Sequence, residues 1–504
     1  MSFIPAVIKL INARRIDQIN LFRSDPVLIQ QQVLRHLLKR GKDTAWGREH
    51  GYSSITDYDQ FRKNVPVQSY EDLVPYIERL RAGEKDLLWP GEVKWFAKSS
   101  GTTSTKSKFI PISKESLEET HFRGAKDCLV MYTMVNPSTR IFLGKGLTLG
   151  GSHQINNFSN SSLYGDLSAI LIENAPLYSE LIRTPPAHIA LIEDFEEKMK
   201  KITEKTAGMN VTSISGVPSW YLVLIRHILK ATGKENLHQV WPNLEVFFHG
   251  GVSFAPYREL YHRLLPDPKM HYMETYNASE GFFAIQDDLS VSSMLLMLDY
   301  GIFYEFIPAD QCTADNPKTL TIGEIEKGIN YAVVISTNGG LWRYEIGDTI
   351  EFTSLYPHKI RITGRTRHFI NAFGEEVIID NAEKALEQAC LVTGAHISDY
   401  TAGPVYMGNE TKGAHEWVIE FDKEPDSIDH FIELLDSTLK SLNSDYEAKR
   451  YKDLTLTRPV VRVVPPGTFY RWFREHDKLG GQNKMPRLAN NRDYIESVLR
   501  VAST

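Results

Sequence analysis

Cysteine is scarce in this sequence. There are three in 504 residues, Cys128, Cys312 and Cys390, far apart and with no CxxC pair. That excludes a disulfide framework and a cysteine-built zinc site. No stretch approaches the roughly 18 consecutive apolar residues of a membrane span. Basic charge is not in excess either: Lys plus Arg is 57 and Asp plus Glu is 63, a formal charge of −6. A mildly acidic chain argues against broad nucleic-acid or anionic-membrane binding. Internal repeats and low-complexity tracts are missing, and so is the GxxxxGK[ST] spacing of the P-loop. Gly144-Lys145-Gly146 with Gly150 misses the dinucleotide-binding spacing by one residue. Residues 1–15 hold a short apolar stretch with no basic region before it and no small-residue cleavage site. They read as an amphipathic helix rather than a signal peptide. The expectation is a cytoplasmic globular protein without nucleic-acid or membrane partners.

What is present is ordinary in bulk and patterned in detail. The chain is 42% hydrophobic and 24% charged, long enough for roughly two to four domains with sizeable cores. Asp25 reads as a helix N-cap followed by Pro26 at the first helical position. Val27, Leu28, Val33, Leu34, Leu37 and Leu38 form one apolar stripe, and Gly41 supplies the stop. Ser69 and Asp72 resemble a capping box before a helix that runs toward Gly83. From about Val93 short β-type runs alternate with helical stretches. Strands are predicted at 93–97, 244–248, 302–307, 331–335 and up to Arg365, with Asn338-Gly339-Gly340 as a turn. Beyond it the chain restarts with helices at 382–388 and 428–442 and strands at 417–421 and 460–464. The expected class is α/β: a large N-terminal domain, residues 1–366, with mixed β-sheets and flanking helices, and a smaller mobile C-terminal α/β domain, 367–504. The hinge lies at about 364–374.

Four segments carry chemistry. Ser99-Ser100-Gly101-Thr102-Thr103-Ser104-Thr105-Lys106-Ser107-Lys108 follows a strand. Its small residues let backbone amides converge on a phosphate, and its hydroxyls and lysines add donors and charge. Thr275 to Glu280 joins a tyrosine able to stack on a purine with a carboxylate able to hold Mg²⁺. In Leu341-Trp342-Arg343-Tyr344-Glu345-Ile346-Gly347-Asp348 a carboxylate at a strand end can accept two ribose hydroxyls. Gly480-Gly481-Gln482-Asn483-Lys484-Met485-Pro486-Arg487 presents a lysine on a glycine-flanked loop. Taken singly, each also fits an ordinary solvated loop or turn.

Taken in order, they resemble the plant auxin-responsive acyl acid amido synthetase family, with the chain as a bacterial-type homologue. That family sits within the acyl-adenylate-forming superfamily of firefly luciferase. Ser99–Lys108 is similar to its SSGT[ST]xGxxK loop, Tyr276–Glu280 to its YxxSE segment and Leu341–Asp348 to its LYRYxxGD segment. Tyr304 to Pro308 resembles its FEFxP strand. Leu442-Asn443-Ser444 with Tyr446, and Lys484 with Pro486-Arg487, resemble its C-terminal signatures. Tyr70 to Ile77 resembles an N-terminal one. Thr105 stands where the family has Gly, and Trp342 where it often has Tyr. The resemblance implies a ligase that adenylates a small carboxylic acid with ATP and Mg²⁺, then transfers the acyl group to an amino acid. A thioester-forming acyl- or aryl-CoA ligase and a non-catalytic nucleotide-binding relative are the alternatives. By the same resemblance Ser99, Ser100, Thr102 and Thr103 would hold ATP phosphates, and Lys108 and Lys484 would be catalytic. Tyr276 would lie against adenine with Gly250 and Gly251 on its other side. Ser279 would contact the α-phosphate or the carboxylate, Glu280 Mg²⁺, and Asp348 the ribose, assisted by Arg365. Val217 and Trp220 are candidates for the acyl pocket.

Overall fold

Local signals set the N-terminal helices. Asp25 accepts the Leu28 N–H and starts the helix Pro26–Gly41. Ser69 and Asp72 form a reciprocal capping box at the start of Tyr70–Arg81. The structure, a computed structural model, describes residues 12–100, 107–150, 156–157, 162–312, 317–366, 369–408, 411–476 and 485–503. Gly41 does not act as a left-handed cap: it is the last helical residue, and Lys42 beyond it is right-handed. A Cβ at Gly41 would stand 2.7 Å from Trp342 Cζ2, so close packing on a buried indole explains the glycine.

The strands in chain order are β1 (Trp95–Ser100), β2 (Ser107–Ile112), β3 (Lys145–Thr148), β4 (Asn156–Asn157), β5 (Leu163–Gly165), β6 (Arg183–Thr184) and β7 (Val211–Gly216). Then follow β8 (Val246–His249), β9 (His271–Ala278), β10 (Gly281–Gln286), β11 (Met294–Leu296), β12 (Ile302–Pro308), β13 (Asn330–Thr337), β14 (Tyr344–Leu355) and β15 (His358–Arg365). The last are β16 (Phe369–Ile370), β17 (Val377–Ile378), β18 (His396–Val405), β19 (Ala414–Lys423) and β20 (Val460–Val464).

Among the described residues the largest sheet runs β12-β13-β14-β15-β11-β10-β9-β8-β7-β3-β6. It is parallel from β6 to β9 and antiparallel from β9 to β12. Its long strands β12 and β13 are buried almost throughout, which is why both read as continuous apolar runs. Helix Pro26–Gly41 covers β12: the Gln30 amide donates to the Leu298 and Ile302 carbonyls and accepts the Tyr304 N–H. The turn predicted at 338–340 is part of a longer connection, 338–343, between β13 and β14. β1 and β2 form a hairpin in a separate four-stranded sheet, β2-β1-β5-β4.

The C-terminal unit is a three-stranded sheet, β18-β19-β20, with helices Ile379–Thr393 and Ile428–Leu442 packed together. Its apolar face joins that of the parallel half-sheet. Phe247, Tyr257 and Tyr261 share one core with Phe373, Leu386, Trp417 and Leu439, and Tyr257 donates to the Ala372 carbonyl at 2.7 Å. The unit therefore sits beside the carboxyl ends of the parallel strands. No described helix is long and apolar enough to cross a membrane.

Candidate active site

A cavity of about 460 Å³ opens where the parallel half-sheet gives way to the antiparallel half. One wall is the chain leaving β8. A Cβ on Gly250 would stand 2.4 Å from the Thr275 carbonyl oxygen, and Gly251 has φ +80. Neither position tolerates a side chain without distortion, so bare backbone faces the cavity there. The β9–β10 hairpin beside it also lines the cavity. Ala278 pairs with Gly281, which leaves Ser279-Glu280 as a two-residue turn at the cavity edge.

Tyr276 on β9 is buried and packs against Phe283 at 4.7 Å between ring centroids. Its hydroxyl donates to Asp348 Oδ2 at 2.7 Å, although β9 and β14 lie four strands apart in the sheet. Asp348 pairs with Arg365 across β14 and β15, and Arg365 Nε donates to Asp348 Oδ1 at 2.8 Å. Burial works against the Arg365 charge, but Glu376 (3.3 Å from Nη1) and Asp348 outweigh it and hold the guanidinium charged. Each oxygen of Asp348 accepts one of these bonds and keeps a free lone-pair direction. The carboxylate is fixed in place and still able to accept from a ligand's hydroxyls.

The β1–β2 hairpin also contributes to the lining. Ser99 and Lys108 are partners across β1 and β2 and both line the cavity. The ten-residue loop read from sequence is thus shorter: Ser99, Ser100, Ser107 and Lys108 are strand residues, while Thr102, Thr103 and Thr105 lie outside the described residues. Lys108 Nζ donates to the Tyr344 hydroxyl at 3.3 Å. Burial pushes the Glu280 carboxyl above the ordinary range; Lys108 opposes this, and Glu376 and Asp348 add to it. Among the described residues no group of three or more His, Cys, Asp or Glu is placed to hold a metal ion. A single carboxylate suits Mg²⁺, which takes one or two carboxylates and fills its sphere from phosphates and water.

Val217 and Trp220 do not line the cavity. Val217 packs behind it, where a Cβ on Gly251 would stand 3.3 Å from its Cγ2, and Trp220 lies under Lys449. Lys484 falls outside the described residues. Glu376, Asn371, Tyr406 and Asn490 line the cavity and are absent from the sequence expectation. Asn371 N–H donates to Asn490 Oδ1 at 2.6 Å, tying the linker to the C-terminal unit. The Gly374-Glu375-Glu376 run was the available signal: Gly374 and Glu376 both take positive φ.

Open α/β sheets bind ligands in the crevice beyond the carboxyl ends of their parallel strands. The cavity lies in that crevice, and residues of the smaller unit complete it, which defines an α/β protein with its ligand site shared between two units. The chain belongs to the GH3 family. The family's N-terminal domain matches residues 15–270, its central domain 295–365 and its C-terminal domain 380–493. The chain is 25% identical to indole-3-acetic acid-amido synthetase GH3.8 of Oryza sativa subsp. indica, over 93% of this chain and 89% of that protein. It is 24% identical to 4-substituted benzoates-glutamate ligase GH3.12 of Arabidopsis thaliana, over 86% of this chain and 87% of that one. Its fold is similar to that of GH3.15 acyl acid amido synthetase in complex with 2,4-DB, with a TM-score of 0.62 at 19% identity, covering 96% and 95% of the two chains.

Proposed function

We propose that this protein activates a carboxylic acid with ATP and transfers the acyl group to an amino acid. In the first step a carboxylate oxygen attacks the α-phosphorus, the bond to the β-phosphate bridge breaks, and pyrophosphate leaves an acyl-adenylate. In the second the acceptor nitrogen attacks the acyl carbon, the carbon–oxygen bond to phosphate breaks, and AMP leaves. The acceptor ammonium gives up two protons in becoming an amide. A free carboxylate resists an amine because its leaving group would be oxide; AMP removes that obstacle.

The observation that carries this reading is one cavity lined both by a hydroxyl-accepting carboxylate, Asp348, and by Lys108 and Glu280. Asp348, held by Tyr276 and Arg365, suits the ribose, and the bare Gly250-Gly251 backbone suits a flat base. Ser99 and Lys108 suit the phosphates, where charge builds during the first step. Ser279, at the turn between them, suits the α-phosphate or the acid. Mg²⁺ bound at Glu280 would neutralise phosphate charge. The C-terminal unit would turn about residues 364–374 between the two steps and carry Lys484 to the phosphates. Three unpaired cysteines suit a reducing cytoplasm. The acids named for the two curated relatives, indole-3-acetic acid and 4-substituted benzoates, are aromatic. Aryl and indolyl acids therefore head the panel for this protein.

Acid-dependent exchange of label between pyrophosphate and ATP, with Mg²⁺ and no acceptor, tests the first step. Exchange with one acid class and an amide by product mass are the expected results. Saturable ATP binding without exchange for any acid, acceptors added, contradicts the reading.

The raised Glu280 carboxyl gives a pH test. Only the carboxylate form takes a cation, so Mg²⁺-ATP affinity is expected to weaken as pH falls through that raised pKa. Lys108→Met removes the opposing charge and should move the weakening to higher pH. Glu280→Gln should leave only the nucleotide's own titration. Equal midpoints for wild type and Lys108→Met in pH-resolved ATP titrations would contradict the coupling.

A further inference from the structure

The helix Ser444–Arg450 of the C-terminal unit lies against the β1–β2 hairpin, with Ser107 Oγ and Ser444 Oγ 2.9 Å apart. The helix carries Lys449, only 8% exposed. Its ammonium makes no hydrogen bond, and no ion pair within 4.0 Å, among the described residues. It stands over the face of Trp220, 4.0 Å from the ring centroid. Trp220 Nε1 is itself buried without a partner.

Burial presses Lys449 toward the neutral form, and Asp445, Asp166, Glu375 and Glu376 press back. Two of those acids are already engaged. Glu375 accepts from His415 and from the Ala372 and Phe373 N–H groups, and Glu376 pairs with Arg365. The carboxylates of Asp445 and Asp166 accept no hydrogen bond among the described residues, although Asp166 occupies an N-cap position. Lys98 on β1 bears on Asp445 from the hairpin side and makes no ion pair among the described residues. Unpaired buried charge is costly, and proteins normally pair it. Lys449 is the buried one of the four, and Asp445, Asp166 and Lys98 beside it are part-exposed; none of them is paired among the described residues, and a ligand carrying both signs would satisfy them.

We propose that this seam is the acceptor subsite and that it takes a free α-amino acid as a zwitterion, with Lys449 binding the carboxylate and Asp445 with Asp166 the ammonium. The proposal rests on the two-step reading above. The seam meets the nucleotide cavity at two places: Val217, one turn before Trp220, packs against Gly251, and Glu376 lines the cavity while bearing on Lys449. Coenzyme A, whose acceptor group is a thiol, brings no ammonium for Asp445 and Asp166. Burial pushes Asp445 up to about 7, with Lys449 opposing, so near neutral pH it can take the first proton the ammonium must lose. Attack then forms the C–N bond and breaks the C–O bond to AMP, and the second proton leaves to solvent.

The test uses the full-length protein, its best acid, and two acceptors: an α-amino acid and the amine left by its decarboxylation. Wild type should show a KM at least about 100-fold lower for the amino acid, the scale of a buried charge-assisted contact. Lys449→Met should raise the amino-acid KM about 30- to 100-fold and bring the ratio below about 5. Acid-dependent exchange, read on the same preparation, should move less than about threefold. Asp445→Asn, nearly isosteric, should raise both KM values about tenfold and keep the ratio. A ratio preserved in Lys449→Met, equal use of both acceptors by wild type, or a thioester with CoA as the sole product overturns the subsite and leaves adenylation standing. Absence of exchange in wild type removes the two-step reading itself, and the subsite with it.

Discussion

Lys484→Ala is expected to slow acid-dependent ATP–pyrophosphate exchange about 10³-fold while ATP binds within about threefold of wild type. One preorganised charge aimed at developing phosphate charge is worth about 10²- to 10³-fold or more when water is excluded. Among the described residues Lys108 is the lysine that lines the cavity, and Glu280 offsets part of its charge. Arg365 is occupied by Asp348 and Glu376. The family resemblance puts a further cation in the Gly480–Arg487 segment. A lysine that arrived with the smaller unit would act in the transition state and contribute little to ground-state ATP binding. Equilibrium ATP titration beside the exchange assay separates the two effects. Exchange at more than a tenth of the wild-type rate would remove Lys484 from the adenylation step.

Much of the fold is legible in the sequence because its signals are local. Asp25, Ser69 and Asp72 bond to amides within three residues of themselves, so composition and spacing reveal them. Helix Ile428–Leu442 and strand Val460–Val464 run as predicted, since periodicity alone defines them. The candidate site is legible only in part, because its geometry is long-range. Tyr276 and Asp348 are 72 residues and four strands apart, and nothing local says they touch. Gly41 looks like a helix stop until Trp342 is seen against it. Val217 and Trp220 carry the apolar character of a pocket wall, yet neither is among the residues that line the cavity. Glu376 and Lys449 owe their surroundings to the contact between the two units, which no window of sequence contains.

Arg343→Leu is expected to destabilise the N-terminal unit by about 3–5 kcal/mol, the cost of leaving a buried charge without its partner. Glu305 lies on β12 with no exposure, inside a run that is otherwise apolar. Arg343 donates to both its oxygens, at 2.8 to 3.1 Å, and spends its remaining donors on the Arg62 and Val65 carbonyls and on Thr319. Tyr58 adds a fourth bond to Glu305 at 2.9 Å. Arg343 holds φ +44, unfavourable for a side-chain-bearing residue, so the network also pins a strained connection. That connection leads directly into β14, where Tyr344 meets Lys108 and Asp348 meets Tyr276 and Arg365. Leucine removes the charge and the donors together. The Glu305→Leu, Arg343→Leu double variant should recover part of the loss, because it removes the orphaned carboxylate. Urea unfolding followed by fluorescence measures both. A single-variant loss below about 1 kcal/mol, or a double variant no better than the single, would show that the pair does not hold β12 and β14 in place. The Asp348 side of the cavity would then need another source of rigidity.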